Sequence, residues 1–346
     1  MQIDFQDFNL NQIKAENDFE RDVLTFINDW FSDSKIISVK TSGSTGDPKI
    51  IKVDKEKMRN SAKMTCDFLD LKEGNSAILC LPVEYISGKM MVVRAIERKM
   101  KLIVANTSLH PFENFNKKAD FCALTPLQVE NSFDGISNIE KLIIGGAKVS
   151  DILKEKIQKK LQENNSKTEV FETFGMSETL SHIALRKLAP VEEPYFTVFR
   201  GINISIDNRN CLQISAPSLN SDILQTNDIV EIKSDNHFKF IGRADFIINS
   251  GGLKISPEVL EKLVKKSIDS ELVFIGIPDI NLGEKLVLVI EGGEAQSAIL
   301  EKLKTIEFPS KNHKPKEVFF LKLFPRTETG KILRLKVKNT IENLLK

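Results

Sequence analysis

The chain predicts an α/β fold: a mostly parallel sheet, then a β-barrel-like part, then a smaller α+β part. Three observations carry this expectation. Up to about Glu192, short apolar runs alternate with helical patterns. Closely spaced strands with Asn/Asp turns follow, and from about Phe246 helices and strands mix again.

The elements follow in order. Residues 17–31 carry Phe19, Val23, Leu24, Phe26, Ile27 and Trp30 near helical spacing, which predicts an amphipathic helix. Val39 and residues 50–53 read as short strands, and 54–69 as a helix. A buried strand at 77–81 ends at Pro82; 88–98 is a helix and 101–104 a strand. Further strands are expected at 121–124, 141–144 and 169–172, with helical pattern at 126–131 and 150–164. Strands at 203–206, 211–214 and 229–232 form the barrel-like part. The last part reads as helix 257–267, strands 272–277 and 285–290, helix 295–305, strand 317–323 and helix 331–345. Ser256 is expected to cap the helix that Pro257 starts.

Composition narrows the function classes. The chain has 346 residues, enough for more than one domain, and its 41% hydrophobic and 28% charged residues are ordinary for a globular protein. A net charge of +1 gives no global attraction to nucleic acid or anionic membrane. Residues 311–346 differ, with ten Lys/Arg against three Glu: a solvated basic face, or an attraction to a phosphate-rich ligand. Cys66, Cys80, Cys122 and Cys211 lie far apart without a C-x-x-C pair, which argues against a disulfide framework or a zinc site. The polar N-terminus lacks the apolar core of a signal peptide, and no apolar run approaches the ~20 residues of a membrane span. The cytoplasm is the expected location, with no nucleic acid partner and no membrane insertion.

The chemistry concentrates in five stretches. Thr41-Ser42-Gly43-Ser44-Thr45-Gly46-Asp47-Pro48-Lys49 joins two expected strands. Glycines let the backbone approach an anion, hydroxyls donate to it and the lysine adds charge, so a polyphosphate is the natural guest. Such clusters are equally the material of surface turns. The spacing is not that of a P-loop, because Asp47 and Pro48 separate Gly46 from Lys49 and a strand follows. Phe174-Gly175-Met176-Ser177-Glu178-Thr179 sets a carboxylate beside a hydroxyl at a strand end, a pair able to hold Mg²⁺ and touch a phosphate. Gly145-Gly146 ends another strand, where a flat ring can lie on the backbone; a plain tight turn fits as well. The stretch from Ile241 to Glu258 contains Arg243, whose planar fork suits a ribose or phosphate, and Gly251-Gly252. Near the chain end, Lys331 follows Gly330 and is either a solvated lysine or a charge delivered to a reaction.

Together with Thr226-Asn227-Asp228, these motifs stand in the order and approximate spacing of the adenylate-forming superfamily, which the chain resembles from Thr41 to Arg334. That superfamily contains acyl- and aryl-CoA ligases, peptide-synthetase adenylation domains and luciferases. The resemblance implies a large domain, 1–244, and a mobile C-terminal domain, 245–346, hinged at Asp245. It implies a two-step reaction: a carboxylate attacks the α-phosphorus of ATP to give an acyl-adenylate, and the thiol of coenzyme A then displaces AMP. Carried over by position, Thr41, Ser42, Gly43, Ser44, Thr45, Gly46 and Lys49 hold the β- and γ-phosphates. Ser177 touches phosphate, Glu178 holds Mg²⁺, and Gly145 and Gly146 line the adenine and acyl pocket. Asp228 binds the ribose with Arg243 beside it, Lys331 serves adenylation, and Gly251 and Gly252 serve the thioester step.

Leu81-Pro82-Val83-Glu84-Tyr85-Ile86-Ser87-Gly88 sits where many members carry L-P-x-F-H-x-x-G, so Tyr85 replaces a histidine. With Ser177-Glu178-Thr179-Leu180-Ser181-His182, this looks most like the branch that joins o-succinylbenzoate to CoA in menaquinone biosynthesis. The second carboxylate of such a diacid needs a cationic or donor-rich partner, for which Lys89, Arg94, His182 and Arg186 are candidates, and Tyr85 is expected in the same substrate pocket. A CoA ligase for another aryl or fatty acid, or an inactive nucleotide-binding homologue, is the alternative. Only 40 residues precede Thr41, far fewer than is typical of the superfamily. A smaller sheet is expected, and the face it leaves open allows a homodimer.

Overall fold

The computed structural model describes residues 1–40, 50–105, 107–113, 117–292, 296–327 and 330–345. In chain order its first strands and helices are β1 (Gln2–Asp4), α1 (Asp18–Phe31), β2 (Ile36–Lys40), β3 (Ile50–Asp54), α2 (Lys55–Phe68), β4 (Ser76–Leu79), α3 (Ile86–Glu97) and β5 (Lys101–Val104). There follow β6 (Ala119–Leu124), α4 (Pro126–Glu130), α5 (Phe133–Ile136), β7 (Ile139–Ile144), α6 (Asp151–Glu163) and β8 (Glu169–Gly175). Next come β9 (His182–Ala189), β10 (Phe196–Val198), β11 (Asn203–Ile206), β12 (Cys211–Ser215), β13 (Leu224–Ser234) and β14 (His237–Arg243). The remainder holds β15 (Ile248–Ser250), β16 (Leu253–Ile255), α7 (Pro257–Lys265), β17 (Leu272–Asp279), β18 (Gly283–Glu291), α8 (Gln296–Thr305), β19 (Glu317–Leu321) and α9 (Arg334–Leu344).

One twelve-stranded sheet runs β1-β5-β4-β6-β7-β8-β9-β10-β14-β13-β12-β11. The strands β5, β4, β6, β7 and β8 are parallel neighbours, as the alternation of helix and strand predicts. From β9 onward every pairing within this sheet is antiparallel. The expected barrel-like strands are therefore hydrogen-bonded onto the parallel sheet rather than standing apart from it. The second sheet, of five strands, starts at β15, five residues after β14 ends. The strands β2 and β3 form a separate antiparallel pair that closes at Lys40↔Ile50.

Helices cover both faces of the parallel strands. On one face, Val23, Phe26, Ile27 and Trp30 of α1, Met58 and Ala62 of α2 and most of α3 join Ala123, Ile143 and Phe171 of the sheet in one core. Each of these large side chains stabilises the fold by about 1.5–3 kcal/mol through burial. On the other face, Leu153, Ile157 and Leu161 of α6 pack against Cys122, Leu142, Ile144 and Val170. Caps fix where the helices begin: Asn17 accepts from the Glu20 N–H (2.9 Å), and Thr125 and Gln128 form a reciprocal capping box.

Several expectations are corrected. The strand expected at 169–172 continues to Gly175 and absorbs the start of the phosphate-type motif. The strands β1, β9, β10, β14, β15 and β16 were not foreseen. The last helix starts at Arg334, not at 331, so Lys331 sits in a loop. Ser256 precedes Pro257 but makes no cap; its hydroxyl donates to Glu258 (3.2 Å) instead.

Candidate active site

The C-terminal ends of β7 and β8 turn where no side chain fits. A Cβ on Gly145 would come 2.5 Å from Thr173 Oγ1, and one on Gly175 would come 2.3 Å from the Ser181 carbonyl oxygen. Gly175 thereby lets the chain fold back tightly through a 3₁₀ turn, Ser177–Thr179. Thr179 is buried at its centre: its Oγ1 accepts from the Met176 N–H (3.0 Å) and lies 2.7 Å from the Ser181 carbonyl. Leu180 ends the turn at φ 65°, a costly left-handed backbone for a leucine. Ser177 and Glu178 are left exposed on the outside of the turn.

A charged cluster forms where β14 ends. Asp228 on β13 pairs in register with Arg243 on β14, and the Arg243 Nη1–H donates to Asp228 Oδ1 (3.3 Å). The rest of the Arg243 fork grips both Asp245 oxygens at 2.9 and 2.8 Å. Burial pushes the Asp228 carboxyl above its ordinary range, and the positive charges of Arg243 and Lys331 partly oppose that. Lys331 is an exposed residue, yet enough protein surrounds its ammonium for desolvation, then Arg243, to pull its pKa down. Asp228 and Asp245 pull it the other way. Lys331 thus lies within electrostatic range of Asp228, Arg243 and Asp245, which stand 86 to 103 residues earlier in the chain. Its loop is pinned by the Thr327 N–H donating to the Lys331 carbonyl (2.8 Å) and by Gly330 at φ 85°.

The remaining expected residues are placed as follows. Residues 41–49 lie outside the described residues. Gly146 adopts φ 86° after Gly145. Gly251 and Gly252, at φ 57° and 81°, make the exposed turn between β15 and β16. Tyr85 bridges Lys40, whose ammonium lies 5.3 Å from its ring centre, next to the start of residues 41–49. Lys89 faces α1: its ammonium donates to the Val83 carbonyl and sits 4.7 Å over the Phe26 ring. Arg186 is paired with Glu172. Arg94 and His182, by contrast, meet through Ser181, which accepts from the Arg94 Nη2–H (3.0 Å) and lies 3.2 Å from His182 Nδ1.

Sequence reading missed the groups that tie the two sheets together. The ring of Phe246 lies between the Arg243 and Arg334 guanidiniums, 5.6 and 5.0 Å from its centre. Arg334 grips both oxygens of Glu261. Glu258 accepts from the Arg243 backbone N–H (3.3 Å), and Lys262 reaches Asp151 on α6 (3.8 Å). Arg334 ends the stretch that resembles the superfamily, but nothing in the sequence separates a buried arginine from a solvated one.

Known proteins were compared with this architecture. A family model described as "AMP-binding enzyme" matches residues 32–206. A solved acyl-CoA synthetase (AMP-forming)/AMP-acid ligase II-like protein from Dyadobacter fermentans is 33% identical, covers 96% of this chain and 97% of its own, and superposes with a TM-score of 0.63. The chain belongs to the AMP-binding enzyme family. Its curated relatives in that family include a 2-succinylbenzoate–CoA ligase of Lactococcus lactis, 24% identical over 89% of this chain and 72% of the relative. The AMP-binding fold is shared with o-succinylbenzoate CoA synthetase of Bacillus subtilis, solved with ATP and magnesium ion: TM-score 0.71, 18% identity, 87% of this chain and 69% of that one.

Proposed function

We propose that this chain activates a carboxylic acid with ATP through an acyl-adenylate and transfers it to coenzyme A, and that the acid is 2-succinylbenzoate. The observation that carries the reading is the cluster of Asp228, Arg243 and Asp245, hydrogen-bonded to one another, with Lys331 of the distant C-terminal segment within electrostatic range of it. The names of the curated relatives support the acid. An enzyme using ATP and CoA on this substrate belongs in the cytoplasm.

The residues divide the work by chemistry. Asp228 is a buried carboxylate with one oxygen on Arg243, and it suits the two hydroxyls of a ribose. Adenylation gathers negative charge around phosphorus, so its rate depends on positioned positive charge and donors. Lys331 supplies that charge beside the ribose site, and Ser177 with residues 41–49 supplies donors to the phosphates. Glu178, exposed on its turn, would hold Mg²⁺, which neutralises phosphate charge when bound; one protein carboxylate suffices because phosphates complete the shell. The nucleophile is the substrate carboxylate. Residues 1–244 and 245–346 act as two bodies turning about Asp245, which brings Gly251 and Gly252 to the site for the thioester step.

Acid-dependent pyrophosphate release, measured across a panel of carboxylic acids with and without CoA, tests this. The expected result is release with 2-succinylbenzoate and thioester formation only when CoA is present. No release with any acid overturns the enzyme reading. Release with benzoate or fatty acids but not with 2-succinylbenzoate overturns the substrate.

A further inference from the structure

The strand that carries Asp228 is irregular at that residue. Three residues of β13, Thr226, Asn227 and Asp228, stand opposite one residue of β12, Leu212. A bulge of this kind interrupts the ladder, re-aims a side chain and leaves backbone groups in need of other partners. Side chains supply those partners. The Thr226 hydroxyl donates to the Leu212 carbonyl (2.8 Å) and accepts from the Asp228 N–H (3.0 Å). The Thr226 carbonyl accepts from the Arg209 Nη2–H (3.4 Å) and from the Gln225 side-chain amide (3.1 Å). The Arg209 Nη1–H donates to Asn227 Oδ1 (3.2 Å). Thr226 and Asn227 are thus tied from the side of β12, and Asp228 is tied through Thr226.

Arg209 is itself locked in place. It stands with Asp207 in the turn between β11 and β12. Asp207 Oδ2 accepts from the Arg209 Nε–H (2.8 Å) and from the Gln225 amide (3.1 Å). Asp207 Oδ1 accepts from the backbone N–H groups of Arg209 (2.8 Å) and Cys211 (2.9 Å). The Asp207 side chain is 13% exposed and that of Arg209 49%. A half-exposed ion pair contributes little by itself. The planar fork gives this one a further use: its Nε–H lies on Asp207 while its two terminal nitrogens reach the bulge, 17 and 18 residues along the chain. On the other side of β13, Arg243 of β14 holds the Asp228 carboxylate (3.3 Å). Asp228 is therefore fastened from both neighbouring strands, by its carboxylate to β14 and through the backbone of the bulge to the β11–β12 turn. Among the described residues Arg209 makes no hydrogen bond to that carboxylate, so its effect on a ligand passes through the direction in which Asp228 points.

We propose that Arg209, locked by Asp207, is a positioning residue for the nucleotide: it sets the bulge that aims the Asp228 carboxylate at the two hydroxyls of the ribose. A carboxylate displaced by about 1 Å loses both hydroxyl contacts together, so the turn matters far more to nucleotide binding than its exposed ion pair does to stability. This rests on the acid–CoA ligase reading above, with Asp228 as the ribose carboxylate.

The test measures kcat/KM for acid-dependent pyrophosphate release with ATP and with 2′,3′-dideoxy-ATP, which lacks both ribose hydroxyls. Wild type should prefer ATP by about 100-fold or more, as a site built to bind those hydroxyls does. Arg209→Met should lose about 10-fold with ATP, mostly in KM, and less than about 3-fold with the dideoxy analogue, so that the preference shrinks. KM for the acid should stay unchanged. Arg209→Lys, with one donor group in place of the fork, should fall between wild type and Arg209→Met. Thr226→Val removes the hydroxyl that joins Leu212 to Asp228 and should give the same pattern from inside the bulge. Should either variant fail to fold, the other carries the comparison. Equal losses with both nucleotides, or no loss with either, would overturn the proposal and leave the turn as a support of the sheet edge. Wild type that uses both nucleotides equally well would overturn the ribose role of Asp228 and the proposal with it, while absence of release with any acid would overturn the enzyme reading itself.

Discussion

At the scale of single residues, the proposed mechanism concentrates on Lys331. Its ammonium is the one group of the cluster carried by a loop of the small sheet's partner segment, beyond β19, while Asp228 and Arg243 belong to the large sheet. If it stabilises charge in adenylation alone, Lys331→Ala should lower adenylation by about 10²- to 10³-fold and spare thioester formation from a supplied acyl-adenylate. Equal loss in both half-reactions would contradict that role. Its titration gives a second prediction. Desolvation and Arg243 hold its pKa below the usual lysine value, so the active, protonated form is lost at lower pH than for a free lysine. Adenylation should therefore fall on an alkaline limb below that value. Arg243→Gln removes a positive neighbour and should move the limb to higher pH, which a kcat–pH profile reads independently of weakened ATP binding. Glu178, Asp228, Arg243 and Lys331 could be named in advance because each sits in a short ordered motif. Lys89, Arg94, His182 and Arg186 could not be told apart, since what separates them is burial and partner, and the sequence shows neither.

At the scale of elements, the site depends on turns tighter than a side chain permits. Alanine at 175 would press a Cβ onto the Ser181 backbone, which has no flexible end to move aside. Gly175→Ala should cost about 1–3 kcal/mol of stability, read as a lowered denaturation midpoint, and should depress pyrophosphate release beyond what that loss explains, because Ser177 and Glu178 ride on the displaced turn. Unchanged release with a lowered midpoint would show that the turn does not position them. The parallel strands were legible because each is a short apolar run between helices. The strand β9 was missed because His182-Ile183-Ala184-Leu185 is buried throughout and so shows no alternation. The strand β1 is three residues long and mostly polar, and only its pairing with β5 makes it a strand.

At the scale of the whole molecule, the groups seen joining the two sheets among the described residues are charged side chains and one aromatic ring. Phe246 between Arg243 and Arg334, Glu258 on the Arg243 backbone, and Lys262 near Asp151 are contacts of the kind that can be remade at small cost. A large apolar interface would instead fix one arrangement. The chain's four cysteines are all buried, so cysteines introduced at positions 151 and 262 can be joined selectively by a short bifunctional reagent. In the present arrangement Lys331 lies within electrostatic range of Asp228, as its proposed part in adenylation requires. Joined protein should release pyrophosphate in a first turnover at close to the normal rate and fail to form thioester when CoA is added. The same double variant left unjoined should do both. Thioester formation at an unchanged rate in the joined protein would mean that the two bodies need not turn, and Asp245 would lose its role as a pivot.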